Sequence, residues 1–196
     1  MQKIIPEDAV LIPDQAERAF EGMIFDVYQW PQKLFDGSEH RFEMLKRPDT
    51  VSVICVDEDK VLVIEDEQPH LGLRTSFPGG RVDSDDENVE AAARREILEE
   101  TGYVFKNWRL VRVWQPYRKM EWFVYVWLAW DVIDRQAATP DAGEKITLRP
   151  VDFSALKDLV MKRTSYLGDS VSIFENLDNI EELLTLPEFS GQTVDR

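Results

Sequence analysis

The sequence predicts an α/β fold, a sandwich of helices around a mixed sheet with a β-hairpin in front of it. Three observations carry that expectation. Short runs of β-branched and aromatic residues recur along the chain, one long helical segment interrupts them between Asn88 and Gly102, and helical spacing returns after the last run. At 196 residues, 43% of them hydrophobic, the chain can bury one substantial core with a small appended element.

Residues 1–15 read as a loosely held lead-in. Phe25–Trp30 alternates apolar with polar residues and predicts a strand, with Pro31 interrupting it or lying near its end. Asp36-Gly37 is a hairpin turn signal, and Arg41–Lys46 answers as the second strand. Val51–Val56 and Lys60–Glu65 are β-rich runs joined by an acidic turn at Asp57–Asp59, and Thr75–Pro78 leads into the helical segment. Beyond it, Trp108–Trp114, Trp122–Asp131 and Ile146–Val151 predict three more strands. Asp152–Lys162 has helical spacing, with Phe153, Leu156, Leu159 and Val160 on one side. Residues 176–186 predict a second C-terminal helix with Ile180, Leu183 and Leu184 as its stripe. No repeat or long linker divides the chain. The expected organisation is a lead-in and hairpin over 1–48, a core over 49–165 and a helical extension over 166–196.

Net charge is −15. That argues against nucleic acid, which needs a basic footprint, and against an anionic membrane surface. A small phosphorylated substrate stays open, because a bound divalent ion reverses the local potential even in an acidic protein. No run approaches the roughly 18–20 apolar residues that cross a bilayer, and the N-terminus lacks the pattern of a signal peptide. Cys55, the one cysteine, lies in an apolar strand pattern and reads as a small buried residue. A reducing, cytoplasmic setting is the default. His40 and His70 are too isolated for a metal pair.

The chemistry concentrates in residues 79–103. On a helix at about 100° per residue, Glu96, Glu99 and Glu100 fall within about a quarter-turn of arc. Carboxylates at i,i+4 repel, as Glu96 and Glu100 must, and a solvated acidic face is one way to tolerate this. The other is a hard divalent cation over the strip, since Mg²⁺ and Mn²⁺ favour carboxylate oxygens. The flanks favour the cation. Pro78-Gly79-Gly80 turns the chain before the helix, Asn88 suits the N-cap, Arg95 sits among the carboxylates, and Gly102 stands at the C′ position.

These residues resemble the box of the Nudix hydrolases, which runs Gly, five residues, Glu, seven residues, Arg-Glu, an aliphatic residue, any residue, Glu-Glu, any residue, Gly and an aliphatic residue. Glu87, Arg95, Glu96, Ile97, Glu99, Glu100 and Gly102 match it. Six residues rather than five separate Gly80 from Glu87, an insertion expected in the loop Arg81–Asp86, and Tyr103 replaces the final aliphatic residue. The resemblance implies an α/β/α fold and hydrolysis of a diphosphate linked to a second group, with Mg²⁺ or Mn²⁺ as cofactor. Glu96, Glu99 and Glu100 would be the metal ligands, joined by a backbone carbonyl at Gly79 or Gly80. Arg95 would pair with Glu87 and Glu96 behind them.

Outside the box, Phe25-Asp26-Val27 and Arg47-Pro48-Asp49-Thr50-Val51 resemble the entry of ADP-ribose pyrophosphatase-type Nudix enzymes, whose N-terminal sheet helps form a homodimer. That branch implies ADP-ribose or a nucleotide sugar as substrate. Glu65–His70 occupies the place of a Glu-Gln-aromatic-Arg motif but lacks its Arg. Arg47 is a candidate for phosphate or base contact, Arg118 for phosphate, and Tyr117 for stacking on a base. The branch carries its general base on a loop before the last strand, where Glu144 stands; Glu121 is the alternative. The competing readings are a nucleoside triphosphate or oxidised-nucleotide pyrophosphatase, and a Nudix-fold module that senses a nucleotide without cleaving it.

Overall fold

The computed structural model describes residues 1–69, 71–162 and 166–195; the His70 expectation lies outside them. The chain forms a mixed sheet with helices on both faces and a second sheet in front. The central sheet contains β5 (Thr50–Asp57), β6 (Lys60–Gln68), β7 (Gly72–Ser76), β8 (Tyr103–Trp114), β10 (Val124–Arg135) and β11 (Lys145–Asp152), in the order β11-β6-β5-β10-β8 with β7 on β6. Only β5 and β10 run parallel; the other pairings are antiparallel. Successive residues of a strand face opposite sides. Accordingly Val51, Val53 and Cys55 enter one core with helix α1 (Val89–Thr101). Ile54 and Val56 enter the other, with α2 (Phe153–Met161), α3 (Val171–Phe174) and α4 (Ile180–Leu184). Cys55 is fully buried, and burial pushes its thiol up.

The feature that positions the site is a fork in this sheet. β6 pairs with β5 only at Lys60–Leu62, and from Ile64 onward the same edge pairs with β7. The freed stretch of β5 takes the Pro78–Gly80 turn instead: the Val53 amide donates to the Pro78 carbonyl and the Val51 amide to the Gly80 carbonyl, both at 2.8 Å. Gly79 has φ +142°, and a Cβ there would lie 2.3 Å from the Val51 carbonyl oxygen. Only glycine fits such an approach.

The N-terminal hairpin is part of a larger sheet. β3 (Asp26–Lys33) and β4 (Glu39–Lys46) are flanked by β2 (Glu17–Phe20) and by β9 (Met120–Glu121), in the order β2-β3-β4-β9. β3 continues through Pro31, because β2 covers it only as far as Gln29 and no strand among the described residues pairs with that edge beyond. A residue without an N–H is tolerated there.

The lead-in is not loose. β1 (Gln2–Ile5) pairs with β12 (Gln192–Asp195), so both ends of the chain lie together, and Ile5 is fully buried. Ile12 closes a small core with Trp30 and Met44. Polar ties hold the segment between them: Lys3 to Asp49 at 2.6 Å, the Val10 amide to Gln115 at 2.8 Å, and the Ile12 amide to Glu121 at 2.8 Å. At the other end, the expected helix over 176–186 shrinks to α4. Asn179 caps it by accepting from the Glu182 amide, and Pro187 follows closely. Among the described residues, no helix is long and apolar enough to cross a membrane.

Candidate active site

Helix α1 begins and ends where its sequence signals lie. The Asn88 side chain accepts from the Ala91 amide at 2.9 Å, and Gly102 takes a left-handed conformation with φ 74°. Val89, Ala92, Ala93 and Ile97 press the helix onto the sheet, and the two alanines allow close approach. Leu98 stays exposed. The same side of the helix, nearer its C-terminal end, carries Glu96, Glu99 and Glu100 towards the Pro78–Gly80 turn, and Glu100 is itself buried.

There the backbone and the carboxylates meet. The Gly79 amide donates to Glu100 Oε2 at 2.6 Å. A Cβ on Gly80 would stand 2.7 Å from the Glu96 carboxylate, so this residue leaves that side chain its space. Arg95 is the hub. Its Nε and Nη2 grip Asp86 at 3.0 Å each, Nη1 reaches Glu96 and Glu99 at 3.0 Å, and Nη2 also donates to the Arg81 carbonyl at 2.9 Å. Asp86 further accepts from the Asp83 amide at 2.8 Å.

The partner of Arg95 is therefore Asp86, and the expected pairing with Glu87 is corrected: Glu87 points into solvent. Five residues separate Gly80 from Asp86, the spacing the box asks for. The inserted residue is thus Glu87 itself, placed between the loop and the Asn88 cap rather than within Arg81–Asp86. Hydrogen bonds from Arg95 hold the Asp86 carboxyl below the usual range, and Asp86 in turn raises the Arg95 guanidinium.

A cleft of about 410 Å³ opens over this assembly, lined by Gly79, Gly80, Arg81, Asp83, Arg95, Glu96, Glu99, Glu100, Pro140, Asp141 and Glu144. The last three come from the loop before β11. That loop is tied to the helix end: the Thr139 amide donates to the Glu99 carbonyl and the Gln136 amide to the Gly102 carbonyl, both at 2.7 Å. Six carboxylates thus face two guanidiniums. Burial pushes the Glu96 carboxyl up to about 7 against the pull of Arg95, and Glu99 and Glu144 add to the rise. Burial likewise pushes Glu100 up to about 9, opposed by the Gly79 amide and reinforced by Glu96, Glu144 and Asp66. Glu144 is raised by burial first and then by Asp66 and Asp141.

This donor set fits a hard divalent cation. As the side chains stand, no three acidic, histidine or cysteine groups among the described residues converge as a metal cage, and Arg95 Nη1 bridges Glu96 and Glu99. Glu100 pairs with no cation among the described residues. The cleft concentrates negative charge that its own arginines leave uncompensated, and that imbalance is what a bound cation relieves.

The chain belongs to the Nudix family. A sequence profile of the NUDIX domain matches residues 46–168. The ADP-ribose pyrophosphatase of Bacillus subtilis (strain 168) is 32% identical over 93 residues, which is 46% of this chain and 50% of that protein. The match thus spans about half the length of that relative. A crystal structure of an ADP compounds hydrolase superposes with a TM-score of 0.64 over 93% of both chains at 17% identity, a likeness of fold.

The other expected site residues fall in three places. Arg47 lies on the rim: its guanidinium sits 4.6 Å over the Trp122 ring and 5.7 Å from Phe25, and burial and then Arg81 lower its pKa. Tyr117 stacks on Trp122 at 6.4 Å and is 64% exposed. Trp122 donates to Thr50, which bridges to Arg81, so this aromatic shelf adjoins the cleft. Arg118 stands apart from the cleft, exposed and paired with Asp8 at 3.2 Å. Glu121 stands apart too. It is buried, ion-paired with Lys46 at 2.9 Å and bound to the Ile12 amide, a structural post for the lead-in. Sequence reasoning missed Arg81, Asp83 and Asp141 as cleft residues. Arg81 follows Gly80 directly, and that adjacency was the available signal.

Proposed function

We propose that the chain is a divalent-metal-dependent pyrophosphohydrolase acting on a nucleoside diphosphate linked to a second group, with ADP-ribose or a nucleotide sugar as substrate. The observation that carries this reading is the shared cleft. Glu96, Glu99 and Glu100 approach it from the helix and Glu144 from the facing loop. Glu96, Glu99 and Glu100 would hold Mg²⁺ or Mn²⁺, which would supply charge neutralisation at the phosphate oxygens and a lower pKa for the attacking water.

The chain's own residues do the rest. Glu144, raised above the ordinary carboxylate value, accepts the proton of the water as its oxygen bonds to phosphorus. The bridging P–O bond breaks, leaving a nucleoside monophosphate and the phosphorylated second group. Asp86 and Arg95 fix the carboxylate strip from behind. Arg81 and Arg47 approach the diphosphate, and the Trp122–Tyr117 shelf takes the base.

The same reading includes a homodimer. The N-terminal sheet buries Trp30 and Met44 under the lead-in, yet Phe20 and Phe42 on its strands and Ile24 and Phe25 in the β2–β3 connection stay partly in water, and Met23 beside them fully so. A second subunit laid on this sheet covers them. Light scattering at micromolar concentration tests it: about twice the 22.8 kDa chain mass is expected, and a monomer with full activity removes the dimer.

The function is tested by incubation with Mg²⁺ and a panel of ADP-ribose, nucleotide sugars, NADH, dinucleoside polyphosphates and nucleoside triphosphates, with products identified. Release of a nucleoside monophosphate and a sugar phosphate is expected. Turnover of triphosphates alone assigns the chain to the competing enzyme class, and binding without turnover makes it a sensing module.

A further inference from the structure

The loop that carries Glu144 crosses the cleft between two anchors. On one side the Thr139 amide is bonded to the Glu99 carbonyl of the metal-facing helix. On the other, the tie is a side chain of the β6 end that the mechanism has not used. Gln68 Nε2 lies 3.2 Å from Glu144 Oε1 and 3.0 Å from Asp66 Oδ2. Among the described residues, Gln68 is the one hydrogen-bond donor to the Glu144 carboxylate.

The chemistry of this bridge is specific. Two carboxylates facing each other at the edge of a cleft repel, and Arg74, bonded to Asp66, offsets this only in part at Glu144. A primary amide carries two N–H bonds on one nitrogen, so it can serve one acceptor with each. Gln68 stands between Asp66 and Glu144 in that arrangement. Asp66 is itself buried and locked by Arg74 across the β6–β7 pair at 2.7 Å. The amide therefore hangs from a fixed post and reaches out to a loop.

We propose that Gln68 is the positioning residue of Glu144, its amide holding the loop carboxylate over the cleft from the Asp66–Arg74 post. This rests on the assignment of Glu144 as the base. Gln68 does not line the cleft, so its loss should fall on kcat rather than on KM. Residues that orient a reacting group from behind typically contribute about 10–100-fold in activity.

The test uses Gln68→Ala, which removes the bridge, and Gln68→Glu, which keeps its shape but replaces the donor with a third carboxylate. Each is made alone and with Glu144→Gln, and kcat and KM are measured with Mg²⁺ on the fastest-cleaved panel substrate. Hydrogen exchange of amides 137–144 is followed without metal. The expected result is a kcat loss of about 10–100-fold for both Gln68 variants, larger for Gln68→Glu, with KM little changed. Neither Gln68 variant should cost anything further on top of Glu144→Gln. Exchange should quicken in amides 137–144 while β5, β6 and α1 keep their protection. Wild-type kcat and exchange in Gln68→Glu would overturn the proposal, as would a loss that adds fully to that of Glu144→Gln. If Glu144→Gln is itself silent while Gln68→Glu loosens the loop, the base assignment fails. Gln68 is then no positioning residue for catalysis, though the tether is real.

Discussion

Exchanging the charge at Asp86 or at Glu87 separates two accounts of how the carboxylate strip is held. Asp86 accepts two charge-assisted bonds from Arg95 and one from the Asp83 amide, and its side chain is only 7% exposed. Asp86→Asn keeps one acceptor oxygen and loses the charge. With bonds to charged groups worth about 1.5–3 kcal/mol each, a loss of about 2 kcal/mol is expected. For a chain of this length that corresponds to a fall of about 4–8 °C in Tm. Glu87→Gln changes a solvated side chain and should stay within about 0.5 kcal/mol of wild type.

The assay is thermal unfolding in the absence of divalent metal, repeated across pH. Arg95 holds the Asp86 pKa below its unfolded value. The contribution is therefore complete above the unfolded value, near pH 4, and disappears as pH falls through the lower folded one. The gap between wild type and Asp86→Asn should be full at pH 7 and close below about pH 4. Equal effects of the two variants, or a larger one for Glu87→Gln, would refute the pairing.

Three further outcomes follow from the geometry. Gly79→Ala places a Cβ 2.3 Å from the Val51 carbonyl at φ +142°, so a loss of about 3 kcal/mol or more is expected in denaturant unfolding, and a midpoint near wild type would contradict the close approach. Glu121→Gln breaks a buried pair with Lys46 and weakens the bond from the Ile12 amide; it should cost about 2 kcal/mol of stability with kcat within a few-fold of wild type. A loss of about 10²-fold in kcat at unchanged stability would instead make it the base. Ile5→Ala empties a fully buried site under β12 and should cost about 2–5 kcal/mol; a change below about 1 kcal/mol would mean that the lead-in is loose after all.

The helix and its caps were legible because their signals are local. Asn88, the alanine-rich apolar stripe and Gly102 each act within a few residues of themselves. The strands β5, β6 and β10 were legible for the same reason, through runs of valine and isoleucine. What the sequence hid was set by distant partners. β1 is four residues long and exists because β12, at the far end of the chain, covers it. β2 has no apolar alternation and is held by its pairing to β3. β7, with Gly72 and Arg74, forms because β6 runs past the end of its pairing with β5.

The site divides along the same line. Glu96, Glu99 and Glu100 share a strip because the period of a helix puts them there, and the loop placed Glu144 opposite them. Asp86 and Glu87 are adjacent acids, and only the path of the loop decides which one meets Arg95. Glu121 was the alternative base on the resemblance alone. Its neighbours in space are Lys46 and the Ile12 amide, which make it a structural post. Gln68 lies in the stretch that stands in place of the Glu-Gln-aromatic-Arg motif, but nothing local told of its contact with Glu144, 76 residues away.

In the proposed function, the strip on α1 holds the divalent ion that hydrolysis requires. Its most direct test is Mn²⁺ binding by electron paramagnetic resonance on wild type and on Glu99→Gln and Glu100→Gln, with turnover measured on the same samples. Wild type should bind Mn²⁺ saturably, with binding weakened at least about 10-fold in each variant and kcat lower by about 10²-fold or more. Unchanged Mn²⁺ binding and turnover in both variants, or full turnover in wild type stripped of divalent metal by a chelator, would contradict it.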